Sequence, residues 1–231
     1  CFTAPQGKIT AFVGPSGSGK STVANLIPRF WDVEQGEILI GNVNVKDIAT
    51  EQLMDLVSFV FQDTFLFYDT LYENIAVGSS KATRDTVIAA ARAAQCHEFI
   101  EKLPNGYETR IGDKGVFLSS GEAQRVCVAR AILKNAPILV LDEATAFADP
   151  ENEYKMQQAL KSLIKDKTVI IIAHRLSSIV SSDRIIVLKD GKAVQCGRHE
   201  ELSSQEGVYK KMWNAYTSAF RWQLNVKQEK E

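Results

Sequence analysis

The sequence lacks the run of about 20 apolar residues that a membrane-spanning helix needs, and it shows no signal peptide. It also lacks an excess of either charge, because 27 Lys and Arg residues are balanced by 28 Asp and Glu residues. Nucleic-acid-binding domains usually carry a strongly basic surface, so we expect no nucleic-acid partner. The four cysteines, at positions 1, 96, 127 and 196, have neither metal-ligand nor disulfide-framework spacing. We therefore expect free thiols, as in a reducing compartment.

The sequence does contain a regular alternation of short apolar runs and longer segments with helical periodicity. It extends over 231 residues, of which 45% are hydrophobic. That length and composition allow one large domain with a sizeable core. Short apolar runs predict strands and longer periodic runs predict helices, and their alternation is typical of an α/β fold with a largely parallel sheet. The predicted strands are 9–13, 57–62, 138–141, 168–173 and 184–188, with hairpin turns at Gly41-Asn42 and Asp190-Gly191, and the clearest helices are 83–94, 122–133, 150–164 and 208–224.

Residues 14–21, GPSGSGKS, match the phosphate-cradling pattern G-x-x-x-x-G-K-[ST], called the P-loop. The apolar run 9–13 precedes them and a helix-competent run follows, which is the strand–loop–helix context that the motif needs. Glycines let successive N–H groups point at phosphate oxygens, and the helix dipole adds to the attraction. Lys20 can reach the β- and γ-phosphates, and the Ser21 hydroxyl can bind Mg²⁺. The predicted nucleotide-binding residues here are Gly14, Pro15, Ser16, Gly17, Ser18, Gly19, Lys20, Ser21 and Thr22.

Polar residues at the ends of three further predicted strands narrow the choice among nucleoside triphosphatases. Asp142 follows the apolar run 138–141, where it can hold the Mg²⁺ shell, and Glu143 can orient or deprotonate the attacking water. Gln62 ends another strand, where its amide can bind Mg²⁺ or the water. His174 follows the strand 168–173, where an imidazole can hydrogen-bond the γ-phosphate. The alternatives are surface acids and a structural histidine, and the P-loop favours the functional interpretation.

The chain resembles the nucleotide-binding domain of an ABC transporter over nearly its whole length. The segments 62–78 and 109–115 resemble those of exporter-type domains in particular. The matched motifs are, in order, the P-loop at 14–21, the Q-loop at Gln62, the signature LSSGE at 118–122, the Walker B strand at 138–142 with catalytic Glu143, the D-loop at Asp149 and the switch residue His174.

This resemblance implies a P-loop NTPase fold with a RecA-like core, an antiparallel β-subdomain, an inserted helical subdomain at about 69–133 and a C-terminal helical tail at about 198–231. It implies an ATPase that uses ATP and Mg²⁺. Two such domains, in a homodimer or heterodimer, would enclose two ATP molecules head to tail. Ser119 and Gly121 of one domain would then face the γ-phosphate held by the other domain.

The resemblance also implies a transmembrane domain upstream of Cys1, with helices seated near Gln62. The domain would accordingly work at the cytoplasmic face of the cell membrane. The aromatic residue that stacks on adenine in this family is likewise expected upstream of Cys1.

Two departures from the family pattern lie in the signature, where Ser120 and Glu122 replace the Gly and Gln of the common LSGGQ. Ser120 adds a side chain where backbone must come close, so it is expected to weaken the partner's site, whereas Glu122 is expected to be a mild change. One alternative function is a soluble ABC ATPase of DNA repair or translation, which the near-neutral charge and the segment 109–115 disfavour. The other is a low-turnover regulatory half-site of a heterodimeric transporter. Glu143 and His174 argue against it for this chain's own P-loop, whereas Ser120 leaves it open for the partner's site.

Overall fold

A six-stranded sheet forms the centre of the computed structural model, which describes residues 1–61, 63–112, 115–142, 150–173 and 175–228, apart from the side chains of Pro150 and of residues 219–228. The strands are β1 (Ile9–Val13), β2 (Leu39–Ile40), β3 (Val43–Asn44), β4 (Val57–Val60), β5 (Ile138–Asp142), β6 (Thr168–Ile172), β7 (Arg184–Lys189) and β8 (Lys192–Gly197). The sheet order is β4-β5-β6-β1-β7-β8. Its first five strands run parallel and β8 is antiparallel to β7. β2 and β3 form a separate antiparallel pair.

Helices cover the sheet. They are α1 (Lys20–Leu26), α2 (Thr50–Leu56), α3 (Leu71–Ala76), α4 (Arg84–Ala93), α5 (His97–Glu101), α6 (Ser120–Lys134), α7 (Pro150–Ile164), α8 (His199–Ser204) and α9 (Val208–Gln228). Local chemistry sets several of these boundaries. Thr83 accepts a hydrogen bond from the N–H of Thr86 and so caps α4, and Asn135 ends α6 in the left-handed conformation that stops a helix.

Apolar side chains alternate between the two faces of the sheet, as the pleat of a strand requires. On β1, Phe12 packs in the cluster that contains α1 and α2, whereas Ala11 and Val13 pack in the cluster that contains α8 and α9. On β5, Val140 shares the cluster of Phe12, and Leu139 packs with α6 and α7. Both faces of the parallel strands are therefore buried, which explains why those strands read as continuous apolar runs.

The predicted α/β architecture with a parallel sheet is confirmed. The strand at 9–13 and the helix at 150–164 have the predicted bounds, and both predicted hairpins form. The predicted strand 57–62 ends at Val60. Among the helices that the structure describes, none has the combination of length and apolar character required to cross a membrane.

The C-terminal helix α9, predicted at 208–224, docks on the domain. Its fully buried anchor is Tyr209, whose hydroxyl shares a 2.8 Å hydrogen bond with Nδ1 of His199. Trp213 packs beside it, with its ring centroid 4.5 Å from that of His199. Burial raises the pKa of Tyr209 to about 12. Val208, Met212 and Tyr216, which lie four residues apart on α9, are partly buried against the same cluster.

Candidate functional site

The P-loop and Asp142 lie at one edge of the sheet because the parallel strands that precede them end there together. β6 lies between β1 and β5, and the register pairs Ile172 of β6 with both Phe12 and Asp142. At about 4.8 Å per strand, Phe12 and Asp142 are only about 10 Å apart across the sheet. The loop that follows β1 and the carboxylate of Asp142 therefore leave the sheet at the same carboxyl edge, where ligands of α/β proteins bind.

Two glycines of the loop between β1 and α1 are required by its geometry. A Cβ on Gly14 would overlap the backbone oxygen of Leu188, where β7 passes close to the loop. Gly19, the residue before α1, has a φ of 93°, which only glycine adopts readily. The first and last glycines of the P-loop pattern thus mark a close backbone approach and a left-handed turn.

The helix that follows the loop presents an uncapped positive end. Its first internal hydrogen bond runs from Val23 N to Gly19 O at 3.0 Å, so the amides of Ser21 and Thr22 have no acceptor inside the helix. Gly19 supplies no side-chain cap, and no acidic residue occupies the first turn. The Ser21 and Thr22 side chains are exposed. This arrangement fits an anionic group, because backbone donors and the helix dipole point the same way.

The Lys20 side chain lies within the loop and is buried. Its side chain is 5% exposed, and its Nζ donates hydrogen bonds to the backbone oxygens of Gly14 and Pro15, each at 3.0 Å. The loop carbonyls therefore hold the ammonium beside the uncapped helix end. The Ser18 hydroxyl, also buried, has no hydrogen-bond partner among the described residues.

The signature residues lie on a different element from the P-loop. Ser119 is the N-cap of α6, which packs against α3, α4 and α7. Gly121 is buried, and a Cβ there would come within 3.3 Å of the Asn152 side chain on α7. Arg125, on the next turn of α6, donates from Nη1 to Asn152 Oδ1 at 2.8 Å. Burial lowers the pKa of Arg125 from its ordinary value.

Four predicted site residues lie outside the described residues. They are Gln62, Glu143, Asp149 and His174. Their assigned roles stay predictions, as do the roles of the P-loop residues, Asp142, Ser119 and Gly121. Among the described residues there is no cluster of His, Cys, Asp and Glu side chains that could hold a metal ion by itself.

A buried polar contact that the sequence did not reveal holds the segment 65–67 in place. Asn74 of α3 is fully buried. Its Oδ1 accepts the Phe67 N–H at 2.8 Å, and its Nδ2 donates to the Phe67 and Thr70 oxygens, each at 3.0 Å. Arg130 of α6 donates from Nε to Asn74 O at 2.9 Å and from Nη1 to Phe65 O at 3.2 Å. The only sequence signal for this contact was the polar character of Asn74 within a helical segment.

Exposed rings lie within this segment and close to it in the sequence. They form what we call the aromatic surface, which consists of Phe61, Phe65, Phe67 and Tyr68, with exposed fractions of 46%, 63%, 45% and 78%. Phe65 and Phe67 meet edge to face, with their centroids 5.1 Å apart, and the Arg130 guanidinium lies 5.4 Å from the Phe67 ring centroid. Exposed apolar residues grouped in this way mark a contact site more often than a free surface.

Comparison with known proteins identifies the family of the chain. The family model described as ABC transporter matches residues 1–146. The chain is 48% identical over 208 residues to the putative multidrug export ATP-binding/permease protein YgaD of Bacillus subtilis (strain 168). It is 50% identical over 214 residues to the ATP-dependent lipid A-core flippase of Haemophilus influenzae (strain 86-028NP). The alignments cover 90% and 92% of this chain and 36% of each relative.

A solved structure gives the same result. The structure of a bacterial Atm1-family ABC exporter with ATP bound has a TM-score of 0.86 and 42% identity, over 93% of this chain and 37% of that one. The chain therefore belongs to the ABC transporter family. It is an ATPase domain of the exporter type, and the predicted P-loop NTPase fold is confirmed. It spans 36% of the length of the curated relatives described above.

Proposed function

We propose that this domain binds ATP and Mg²⁺ at the carboxyl edge of the sheet and hydrolyses ATP to drive transport across a membrane. The observation that carries the proposal is the uncapped end of α1 beside the buried Lys20 ammonium. A triphosphate would accept hydrogen bonds from the helix amides and be attracted by the ammonium at the same time. The printed names of the relatives, an export ATP-binding/permease protein and an ATP-dependent flippase, support the coupling to transport.

Each residue has a distinct role in this mechanism. The loop amides and Lys20 bind the β- and γ-phosphates, and the Ser21 hydroxyl and the Asp142 carboxylate hold Mg²⁺. Bound Mg²⁺ would neutralise part of the charge on the phosphate oxygens. Glu143 orients the attacking water and accepts its proton, while Gln62 and His174 contact the metal shell and the γ-phosphate. Catalysis is thus positioning and electrostatic stabilisation.

The position of the signature supports a dimer. Ser119 begins α6 and the P-loop precedes α1, so one domain presents the two motifs on separate elements. A second domain turned head to tail brings its Ser119, Gly121 and D-loop Asp149 to the γ-phosphate of the first. ATP then joins the two domains, and hydrolysis separates them.

The aromatic surface supports a transmembrane partner. In the sequence, Phe61 precedes and the other rings follow Gln62, which senses the phosphate in this mechanism. The contacts of Asn74 and Arg130 hold the backbone of Phe65 and Phe67. A transmembrane domain of the same transporter seated on this surface would move when the dimer closes, and the domain would then work at the cytoplasmic face of the cell membrane. A soluble ATPase of DNA repair or translation is disfavoured, since the relatives described above are named as exporters or flippases.

The test is replacement of Glu143 by glutamine, which keeps the shape of the side chain and removes the base. Glu143→Gln should bind MgATP, release no phosphate and accumulate as a dimer, whereas the wild-type chain should turn over and remain largely monomeric. Light scattering with and without MgATP and a phosphate-release assay measure both effects. Glu98→Gln, a change of an exposed carboxylate on α5, is the matched control and should behave as wild type. Undiminished turnover in Glu143→Gln would refute the catalytic role.

A further inference from the structure

The donors at the start of α6 are already occupied within the domain. The Ser119 hydroxyl donates a hydrogen bond to Glu122 Oε2 at 2.7 Å, and the Ser119 N–H donates to the same oxygen at 2.9 Å. In return the Glu122 N–H donates to Ser119 Oγ at 3.3 Å. This reciprocal capping box satisfies the first donors of the helix. The carboxylate of Glu122 therefore takes the place at the signature that an anionic ligand would take.

The charge of the Glu122 carboxylate distinguishes this capping box from one formed by an uncharged side chain. An ionised carboxylate only accepts hydrogen bonds, so the single hydrogen of the Ser119 hydroxyl must point at Glu122. A glutamine at position 122 could still accept from the Ser119 N–H, but its amide could donate to Ser119 Oγ and leave the hydroxyl hydrogen to a phosphate. Glutamine also carries no charge, whereas the carboxylate repels a phosphate brought to the same donors.

Arg125, one turn along α6, donates from Nη1 to Asn152 on α7. The Glu122 charge attracts this guanidinium and acts against the lowering of the Arg125 pKa by burial, but no hydrogen bond among the described residues joins the two side chains. The carboxylate is half-buried and Ser119 is exposed, so a phosphate can reach the serine from outside the domain but must displace Glu122 Oε2 to bind it.

We propose that Glu122 is a positioning residue that holds the Ser119 donors until ATP displaces it and thereby sets the ATP concentration at which two domains close. This inference rests on the head-to-tail dimer of the proposed function. It revises the expectation that Glu122 is a mild change, because the carboxylate competes directly with the γ-phosphate. The site in the P-loop of the same domain is untouched, so Glu122 acts on closure and not on the first binding of nucleotide.

The experiment compares Glu143→Gln with the double variant Glu143→Gln/Glu122→Gln, since blocked hydrolysis lets the dimer accumulate. Light scattering over a series of MgATP concentrations gives the concentration for half-maximal dimerisation. We expect Glu122→Gln to lower it about tenfold, the size of one hydrogen bond to a charged group. Calorimetry below the dimerisation range should give equal MgATP affinities for the two proteins. Glu98→Gln in the same background should change neither value.

Salt separates an electrostatic role from a merely structural one. Raising the ionic strength screens the repulsion between Glu122 and the phosphate, so the gap between the two proteins should shrink as salt rises. Equal half-maximal concentrations, or a gap that is unchanged by salt, would overturn the inference. If both proteins dimerise poorly at saturating MgATP but bind it normally, the dimer of the proposed function fails, and this inference fails with it. A double variant that dimerises where its parent does not supports both.

Discussion

Replacing Asn74 by alanine tests how the domain holds the aromatic surface beside the nucleotide site. The Asn74 amide is fully buried. It bonds to the Phe67 N–H, the Phe67 and Thr70 oxygens and the Arg130 guanidinium at 2.8 to 3.2 Å. Alanine removes all of these contacts while keeping a residue of high helix propensity in α3. The perturbation therefore acts through lost hydrogen bonds rather than through the helix itself.

The expected loss of stability follows from the groups left behind. A buried polar group without a partner costs about 1–3 kcal/mol. Only the Phe67 N–H is left without a partner, because the Asp69 N–H still donates to the Phe67 oxygen, the backbone N–H of residue 74 still donates to the Thr70 oxygen, and Arg130 keeps its bonds to the oxygens of residue 74 and Phe65. We therefore expect a loss of about 1–3 kcal/mol. For a domain of this size, about 2–4 °C of Tm per kcal/mol converts this into a fall of about 2–12 °C.

Urea unfolding followed by circular dichroism measures the change. Asn105→Ala is the matched control, because Asn105 is exposed and its side chain makes no capping hydrogen bond. It should change the free energy of unfolding by about 0.5 kcal/mol or less. If Asn74→Ala also lowered the free energy of unfolding by no more than this control, the contacts of Asn74 would not stabilise the segment, and the reasoning would be refuted.

Two further predictions concern the nucleotide site and the hydrogen bond of Asp183 at the start of β1. Lys20→Ala removes the ammonium that the loop carbonyls hold and should abolish tight MgATP binding in calorimetry; an affinity equal to wild type would remove the P-loop assignment. Asp183 accepts the Ile9 N–H at 2.9 Å, and this bond, with help from Lys8, holds the pKa of Asp183 below its usual value. Because its pKa is depressed in the folded state, the ionised Asp183 carboxylate stabilises the fold above about pH 4. This stabilisation is lost as pH falls through the folded-state pKa. The gap in unfolding free energy between wild type and Asp183→Asn should therefore shrink from pH 6 to pH 3, and a gap independent of pH would contradict this.

Much of the fold and of the site was predictable from the sequence because the signals are local. The apolar run of β1 and the glycine pattern after it each depend on neighbours within a few residues. The helix at 150–164 begins with Pro150, which fits the first turn of a helix, and its predicted bounds were correct. The capping box of α6 was not predicted: the helix was expected from residue 122, whereas it begins at Ser120 and is capped by Ser119.

Only the tertiary structure decided which of these pieces meet. The strand order places β6 between β1 and β5, and this order brings Asp142 to the edge that carries the P-loop. The partners of Asn74 and Arg130 come from segments far apart in the chain, and the fully buried Tyr209 anchors α9 through its hydrogen bond with His199 of α8. The physical reason is that periodicity reports which face of an element is apolar, whereas packing density and the need to satisfy buried polar groups select its neighbours across the whole fold.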